Sequence, residues 1–322
     1  MTNFALTGLA GYIAPRHLQA IRDTGSRLVA AVDTHDSVGV VDGYFPNAAF
    51  FTEFERFDRH LEKLRRGPAE ERVDVVSVCS PNHLHDAHIR LALRVEADAL
   101  CEKPLVLNPW NLDALEDLEG ETGRRVWTVL QLRVHPALVE LKRRIEAEPS
   151  RRRRVRLTYV TSRGTWYHYS WKGDPKKSGG VATNIGVHFF DMLQWLFGGV
   201  EGHAVHVNEP ARAAGALVLP HADVEWFLSL DPNDLPVGLP DGQTTYRSIT
   251  VDGEEVEFSG GFRDLHTRVY EETLAGRGFG IEDARPAIEL VHSIRHATPD
   301  PQGDGVHPFV RGQGIVAETA AG

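Results

Sequence analysis

The stretch FALTGLAGYIAP, residues 4–15, decides how the chain begins to fold. Its first four residues form an apolar run typical of a buried strand, and Gly8 and Gly11 follow directly. Glycine accepts the backbone angles of a tight turn, and proline is favoured in the first turn of a helix. The stretch therefore predicts a strand, a sharp turn and a helix that begins near Pro15, which is the opening of a βα unit.

Four more apolar runs follow this unit and alternate with amphipathic helical patterns. The runs span residues 28–33, 73–80, 97–101 and 126–130, and the helical patterns include 17–24 and 83–95. Strand, helix and strand at this spacing predict right-handed βαβ connections and a parallel sheet. Because ligands of such sheets bind beyond the carboxyl ends of the strands, the residues that follow each run are candidates for a site.

The pattern changes at about residue 155. Alternating apolar and polar residues occupy 155–160, 204–207, 216–219, 224–230, 246–251 and 255–258, and helical patterns occupy 266–274 and 282–296. Asp252-Gly253, between two of the runs, is a strong hairpin signal. The second half therefore predicts an α+β domain with a large open, mostly antiparallel sheet. For a chain of 322 residues we expect two domains, residues 1–133 and residues 134–322.

The composition argues against several partners. A net charge of -10 disfavours nucleic acid, whose phosphates need a positive surface. No apolar run approaches the roughly 20 residues that span a bilayer, and the N-terminal residues lack the charged start and cleavage site of a secretory signal. We therefore expect a cytoplasmic protein without a membrane partner, in which Cys79 and Cys101 are buried thiols and form no disulfide.

The first turn fits a dinucleotide-binding fingerprint imperfectly. The pattern GxGxxG would place glycines at 8, 10 and 13, whereas the chain has Gly8, Ala10 and Ile13, with Gly11 one position after Ala10. Such a turn must let backbone N–H groups approach a pyrophosphate at the positive end of a helix, and small residues still allow that. We predict that residues 8–13, Tyr12 included, bind a dinucleotide; a plain strand-end turn is the alternative.

Asp33 ends the second run, 25 residues after Gly8. An acid at this position can accept hydrogen bonds from the hydroxyl groups of an adenosine ribose. Thr34 and His35 come next, so no arginine is at hand to bind a 2′-phosphate. The pattern favours NAD over NADP as the cofactor, and helix capping by Asp33 is the alternative.

Two further strand ends carry polar residues. They read Ser80-Pro-Asn82-His83-Leu-His85 and Glu102-Lys103-Pro104. Ser80 or Asn82 is equally a candidate helix cap. A lysine at the end of a buried parallel strand is a stronger functional signal, because burial lowers its pKa toward the range in which it exchanges protons. We predict that these two segments contact the cofactor and that Lys103 also takes part in catalysis.

The segment SGGVATNIGVHFFD, residues 178–191, joins two glycines to an apolar helix. In a continuous α-helix, Asn184, His188 and Asp191 would share one face at positions i, i+4 and i+7. These polar groups either satisfy one another beside the core or point into a reactive cavity. Gly179-Gly180 would let the backbone come close to a ligand.

Four motifs occur in a fixed order along the chain. They are GLAGYIAPRH at 8–17, SPNHLH at 80–85, EKPL at 102–105 and SGGVATNIGVHFFD at 178–191. In this order the sequence resembles the Gfo/Idh/MocA oxidoreductases over nearly its whole length. The resemblance implies an α/β protein with an N-terminal Rossmann domain and a C-terminal domain whose open sheet forms oligomer contacts, hence a homodimer or homotetramer.

Longer strings, among them TVLQLRVHP at 128–136 and TVDGEEVEFS at 250–259, are similar to the branch of this family that acts on UDP-N-acetylglucosaminuronic acid (UDP-GlcNAcA). That resemblance implies NAD-dependent oxidation of the sugar's 3-hydroxyl to a 3-keto sugar, for lipopolysaccharide O-antigen synthesis. The family's lysine and histidine fall on Lys103 and His188, which implies that this pair transfers the proton. Many related dehydrogenases carry an aspartate where this chain has Asn184, whose neutral amide can only form hydrogen bonds.

An anionic sugar nucleotide needs cationic and aromatic contacts. Residues 163–177 interleave both kinds of side chain, and arginine can meet a carboxylate or phosphate bidentately. We predict substrate contacts from this segment, from the residues after the 126–130 run and from the glycine-rich segment: Arg163, Tyr167, Lys172, Gln131, Arg133, Asn184 and Gly180. The alternative for Arg133 and Lys172 is pairing with surface acids.

Other functions are compatible with the same resemblance. The fold serves other sugar and inositol dehydrogenases, and glycosidases that use NAD to form a transient 3-keto sugar. The family also includes NAD-binding regulators, although the pair Lys103 and His188 and the lack of a basic DNA-binding region argue against that role. None of the sixteen histidines pairs with further ligands at a recognisable zinc spacing, so we predict no metal site.

Overall fold

The computed structural model describes residues 1–240, 242–257 and 264–312. Over these residues the chain forms two compact units. The first comprises Met1–His135 and the described part of Gly261–Ile288, and the second comprises the described parts of Pro136–Gly260 and Glu289–Gly322. Each unit has a β-sheet of its own.

The first unit is built on a six-stranded parallel sheet. Its strands are β1 (Asn3–Thr7), β2 (Arg27–Val32), β3 (Ala49–Phe51), β4 (Val75–Val78), β5 (Asp98–Cys101) and β6 (Val126–Thr128). They lie in the order β3-β2-β1-β4-β5-β6, and every neighbouring pair is parallel. This doubly wound order brings the carboxyl ends of all six strands to one edge. The predicted parallel sheet is confirmed.

Helices cover this sheet and continue through the second unit. They are α1 (Ala14–Asp23), α2 (Phe54–Arg65), α3 (His85–Arg94), α4 (Pro109–Thr122), α5 (Pro136–Glu146), α6 (Trp166–Tyr169), α7 (Pro175–Ser178), α8 (Val187–Phe197), α9 (Leu265–Leu274) and α10 (Ile281–His296). Among the described residues, no helix combines the length and the apolar character that a membrane span requires.

The centre of the first sheet is apolar because of its strand sequences. All residues of β1 and β4 are buried, and α1 adds the buried side chains Leu18, Ala20 and Ile21. Cys79 and Cys101 are buried free thiols, as predicted. The strand β3 was not predicted, because its three half-buried residues are too short a run to show a pattern.

The second unit contains a mixed, mostly antiparallel sheet. Its strands are β7 (Arg153–Thr161), β8 (Gly202–Asn208), β9 (Arg212–Leu219), β10 (Ala222–Ser229), β11 (Thr245–Val251) and β12 (Glu254–Glu255), in the order β12-β11-β7-β10-β9-β8. Only the pair β10 and β7 is parallel among these described strands. The hairpin at Asp252-Gly253 is confirmed, since Val251 pairs with Glu254. The end of the predicted run at Phe258 lies outside the described residues.

One face of this sheet packs on α8. The ring of Phe190 meets the indole of Trp226 edge-on at 5.0 Å, and Phe189 lies 5.1 Å from Tyr159. Gly186, which precedes α8, is close to both Phe190 and Leu228, where a Cβ atom would come within 2.6 and 2.7 Å of their side chains. These apolar residues of α8 are therefore core, and they fix α8 against the sheet.

The division of the chain differs from the predicted single boundary at 133/134. Helix α9 belongs to the first unit, although it follows the whole sheet of the second unit in sequence. The physical reason is a set of buried hydrogen bonds. His266 and Tyr270 of α9 bond to Glu102, to His17 of α1 and to Ser77 of β4.

Candidate active site

The turn after β1 lies directly on the end of β4. Gly8 has a φ of +84°, and a Cβ atom on it would lie 2.6 Å from the carbonyl carbon of Cys79. No other residue fits there without moving the backbone. Helix α1 begins six residues later at Ala14, with Pro15 in its first turn, so its positive N-terminus faces the carboxyl edge of the sheet. This arrangement suits the pyrophosphate of a dinucleotide.

Asp33 holds the glycine turn in place. Its two carboxylate oxygens accept hydrogen bonds from the N–H groups of Ala10 at 2.8 Å and His35 at 2.9 Å. Each oxygen has a further lone pair, so the carboxylate can still accept a ribose hydroxyl. The predicted cofactor residues Gly8, Ala10 and Asp33 are therefore brought together, whereas the Tyr12 side chain is exposed and Ile13 packs on the core.

The residues after β4 contact mostly other residues of the first unit. Burial lowers the pKa of His88 to about 4, so its ring is neutral, and its Nδ1 atom lies 2.8 Å from Oγ of Ser80. The two ring nitrogens of His85 lie 2.8 Å from the carbonyl oxygens of Pro104 and Ser80. His85 therefore connects the end of β4 to the segment after β5. Asn82 is buried as well, whereas His83 is exposed.

Glu102 and Lys103 follow β5 at the same edge of the sheet. The Glu102 carboxylate is buried, and its Oε1 atom lies 3.0 Å from Nε2 of both His17 and His266. Its Oε2 atom accepts the backbone N–H of Lys103 at 3.2 Å. Burial raises the pKa of Glu102, but the two histidines outweigh burial and hold this pKa well below its usual range. The lysine side chain is half-buried.

His17, Glu102 and His266 are also a group of potential metal ligands. Their donor atoms lie within 4.8 Å of one another and all three side chains are buried. The two nitrogen–oxygen distances of 3.0 Å are ordinary hydrogen bonds, which account for the geometry of the cluster. The absence of a metal site therefore stays a prediction.

The sequence pattern did not single out the partners of Glu102. His17, His266, Tyr270 and Ser77 are buried polar side chains that lie within an apolar strand or on the buried side of a helix. The available signal was the spacing of His266 and Tyr270 at i and i+4 on one predicted helix, which places two polar groups on its buried face.

The residues after β6 form a short 3₁₀ turn, Gln131–Val134. The Arg133 guanidinium donates to Oδ1 of Asp283 at 2.7 Å and to the Asp283 carbonyl at 3.0 Å, so it has the acid partner that was the alternative to substrate binding. Oε1 of Gln131 is buried without a hydrogen-bond partner among the described residues. Substrate binding by both residues stays a prediction.

The glycine-rich segment of the second unit is not a continuous α-helix. Residues Ala182–Gly186 form a π-helix, and α8 begins at Val187. Asn184 lies in the π-helix, so its register to His188 differs from the predicted i, i+4 face. Single π-helical turns inside helices are frequent at functional sites. His188 is half-buried, and Asp191 is buried.

The two glycines before the π-helix have different roles. Both have positive φ angles, +81° for Gly179 and +76° for Gly180. A Cβ atom on Gly179 would collide with Thr183 at 2.6 Å, whereas one on Gly180 would meet nothing within 4 Å. Gly180 therefore borders open space, and its contact with the substrate stays a prediction.

A hydrogen bond connects the basic and aromatic segment to the π-helix. The Nδ2 atom of Asn184 donates to the hydroxyl of Tyr167 at 2.8 Å, and Tyr167 is buried. The Lys172 ammonium lies 5.2 and 5.5 Å from the ring centres of Trp166 and Trp171, in a cation–π arrangement. Burial, followed by the charge of Arg163, lowers the pKa of Lys172.

Two family models match the chain. The first, described as an oxidoreductase family with an NAD-binding Rossmann fold, matches residues 2–129. The second, the C-terminal alpha/beta domain of the same oxidoreductase family, matches residues 153–223. The chain belongs to the Gfo/Idh/MocA oxidoreductase family, and its first unit is the NAD-binding domain.

Solved structures give a finer comparison. The WlbA (WbpB) dehydrogenase from Thermus thermophilus is 56% identical; two structures of it, in complex with NAD and alpha-ketoglutarate or with NAD and UDP-GlcNAcA, have TM-scores of 0.92 and 0.91. Each match covers 96% of this chain and 100% of that one. The WlbA dehydrogenase from Bordetella pertussis, at 21% identity and a TM-score of 0.73, shares the fold over 91% of this chain and 94% of its own.

Curated relatives match shorter stretches. Inositol 2-dehydrogenase of Rhizobium meliloti (strain 1021) is 26% identical over 204 residues, which is 61% of this chain and 54% of the relative. The chain spans less than two thirds of the length of the curated relatives it matches.

Proposed function

We propose that this chain oxidises the 3-hydroxyl of UDP-GlcNAcA to the 3-keto sugar, with NAD as the hydride acceptor. The observation that carries the proposal is the 56% identity, over 96% of the chain, to a dehydrogenase crystallised with NAD and UDP-GlcNAcA. The residues of both units fit the chemistry that this reaction needs.

The residues at the carboxyl edge of the first sheet fit NAD. Gly8 leaves no room for a side chain between the turn and β4, and the N-terminus of α1 is oriented toward the pyrophosphate position. Asp33 would accept the adenosine ribose hydroxyls, and its charge would repel a 2′-phosphate. When bound, NAD supplies the nicotinamide carbon that takes the hydride.

Lys103 and His188 are the groups to which we assign the hydroxyl proton. Oxidation needs a side chain that removes this proton as the carbonyl forms, and lysine and histidine both titrate within reach of neutral pH when partly buried. Asn184, whose amide nitrogen donates to the Tyr167 hydroxyl, would hold the sugar or the nicotinamide carboxamide.

The uronate and the diphosphate explain the cations of the second unit. Lys172 lies beside two indoles, and the charge of Arg163 is near enough to lower the pKa of Lys172. Tyr167 ties this segment to the π-helix. Asn184 is neutral, whereas an aspartate at this position would place a negative charge near the uronate carboxylate. Repulsion of that kind costs a few kcal/mol between close, partly buried groups.

A panel of UDP-sugars tests the proposal. With UDP-GlcNAcA, purified protein and NAD are expected to form NADH and the 3-keto sugar. If NADH stays bound, the 3-keto product reports the reaction. Far less of both is expected with neutral UDP-N-acetylglucosamine. Lys103→Ala and His188→Ala should each nearly abolish turnover while NAD still binds, whereas the exposed Lys63→Ala should behave as wild type. Equal use of both sugars would remove the substrate assignment, and release of a free sugar would indicate a glycosidase.

We also propose the setting of this reaction. The family resemblance supports a homodimer or homotetramer formed through the second unit's sheet, in the cytoplasm, within lipopolysaccharide O-antigen sugar synthesis. The alpha-ketoglutarate in the Thermus thermophilus structure supports reoxidation of NADH by a 2-keto acid. Appearance of the 2-hydroxy acid during turnover with alpha-ketoglutarate is the expected result, and release of free NADH without it would contradict this step.

A further inference from the structure

Within the first unit, a chain of buried hydrogen bonds connects the backbone of Lys103 to residues of other strands and helices. The carboxylate of Glu102 accepts the Lys103 N–H on one oxygen and meets two histidine nitrogens on the other. His17 Nδ1 lies 2.7 Å from the Tyr270 hydroxyl, and that hydroxyl lies 2.7 Å from Oγ of Ser77.

Every proton in this network has one consistent position. An ionised carboxylate only accepts, so His17 and His266 both carry hydrogen on Nε2. Burial lowers the pKa of His17, which keeps its ring neutral and leaves Nδ1 as an acceptor for Tyr270. Tyr270 then accepts from Ser77. Each of these hydrogen bonds then has one donor and one acceptor, and such networks hold their members in one geometry.

The residue after Lys103, Pro104, is in contact with another buried histidine, His85. His85 lies 2.8 Å from the carbonyl of Pro104, through one ring nitrogen, and 2.8 Å from that of Ser80 through the other. The backbone on both sides of Lys103 thus lies against buried groups of β4, α1, α3 and α9. The side chain of Lys103 is left half-buried at the carboxyl edge of the sheet.

We propose that Glu102 is a positioning residue for Lys103, and that His17 and His266 act through it by holding its carboxylate. The proposal rests on the proposed function for the catalytic role of Lys103. The lysine ammonium must be positioned accurately for proton transfer, and this requires a backbone held in one place. A misplacement of the ammonium by about 1 Å can cost on the order of a hundredfold in rate.

Glu102→Gln is the sharpest change. The glutamine keeps the size of the side chain but replaces one accepting oxygen with a donating amide, which must face either the Lys103 N–H or the two histidine N–H groups. We expect kcat to fall about 10- to 100-fold and the Lys103 amide to exchange with solvent at least about tenfold faster.

His266 offers a matched pair of variants of similar size. His266→Gln keeps an amide N–H that can donate to Glu102, whereas His266→Leu removes the donor. Rescue by glutamine is therefore expected: kcat and Lys103 amide exchange stay within about threefold of wild type in His266→Gln and change about tenfold in His266→Leu. This pair also decides the matter if Glu102→Gln fails to fold.

Asn3→Ala is the control for stability. Asn3 is buried at the opposite edge of the same sheet, where its Nδ2 atom donates to the Glu70 and Arg72 carbonyls. This variant should melt earlier with kcat and Lys103 amide exchange unchanged. Three results would each overturn the proposal. They are wild-type kcat and exchange in Glu102→Gln, equal losses in the two His266 variants, and an equal loss in Asn3→Ala.

The exchange measurement separates this proposal from the proposed function. If the wild-type protein oxidises no UDP-GlcNAcA, the function fails, and the Lys103 amide still reports whether Glu102 fixes that backbone. If the wild type is active and exchange does not respond to Glu102→Gln, the positioning role fails alone.

Discussion

Gly8 shows how a single position determines the cofactor site. Its left-handed backbone costs a residue with a Cβ atom about 1 kcal/mol, and the contact with Cys79 adds a steric term. We predict that Gly8→Ala lowers the free energy of unfolding by about 3 kcal/mol and weakens NAD binding at least about tenfold, because the turn must lift off β4. Thermal unfolding and an NAD titration measure both effects.

Gly25→Ala is the matched control for that change. Gly25 has a similar φ of +69°, but a Cβ atom there would meet nothing within 4 Å. Gly25→Ala should therefore lower the free energy of unfolding by the backbone cost alone, with NAD binding unchanged. Equal losses of stability and equal affinities in the two variants would show that contact with β4 is unimportant.

Asn184 tests the charge argument at the second site. Asn184→Asp places a carboxylate beside the position that we assign to the uronate, so we predict an increase of about tenfold or more in KM for UDP-GlcNAcA. The neutral UDP-N-acetylglucosamine should be affected much less. Tyr167→Phe, which removes the hydroxyl bonded to Asn184 without adding charge, should change the two KM values by the same factor. A uniform effect of Asn184→Asp on both sugars would contradict the charge argument.

At the scale of elements, local patterns explain most strands but not the site helix. The uninterrupted apolar residues of β1 and β4 predict buried strands, and both are entirely buried. The π-helix at Ala182–Gly186 has no pattern of its own in the sequence, because its extra residue is set by packing around Gly179 and Gly186. The spacing of Asn184 and His188 was therefore predicted from the wrong helix geometry.

His307 gives the second sheet a pH dependence. It is buried against β7, where Nδ1 accepts the N–H of Phe309 at 3.2 Å and Nε2 lies 3.0 Å from Oγ1 of Thr158. Burial, followed by the charge of Arg156, lowers its pKa from 6.5 to about 3. Below pH 6.5 the unfolded chain binds a proton that the folded chain does not, so stability is lost as pH falls.

The predicted loss from this histidine is about 2 kcal/mol between pH 6.5 and pH 5, at about 1.4 kcal/mol for each pH unit. His307→Asn keeps an acceptor for the Phe309 N–H and removes the titration. Denaturant unfolding at pH 7 and pH 5 should therefore show a smaller loss in His307→Asn than in wild type. The exposed His203→Asn should lose as much as wild type, and an identical loss in all three proteins would contradict the assignment.

At the scale of the whole molecule, the two sheets were predictable and unit membership was not. The βαβ spacing indicated the parallel sheet, and alternation indicated the second one. Helix α9 was predicted as a helix, but its place in the first unit depends on partners such as Glu102, which is 164 residues from His266. The i, i+4 spacing of His266 and Tyr270 marks a buried polar face on α9 but does not identify partners at that separation. This is why the sequence indicated Lys103 and not the network that holds Glu102.

The most direct test of the proposed reaction follows the hydrogen on carbon 3. UDP-GlcNAcA deuterated at that carbon is incubated with the protein and unlabelled NAD, with no keto acid added, and sugar and cofactor are analysed by mass spectrometry. We predict that the deuterium leaves the sugar and appears in NADH, and that the keto product has the mass obtained from unlabelled substrate. Deuterium retained in the sugar product, or lost without appearing in NADH, would contradict hydride transfer from carbon 3.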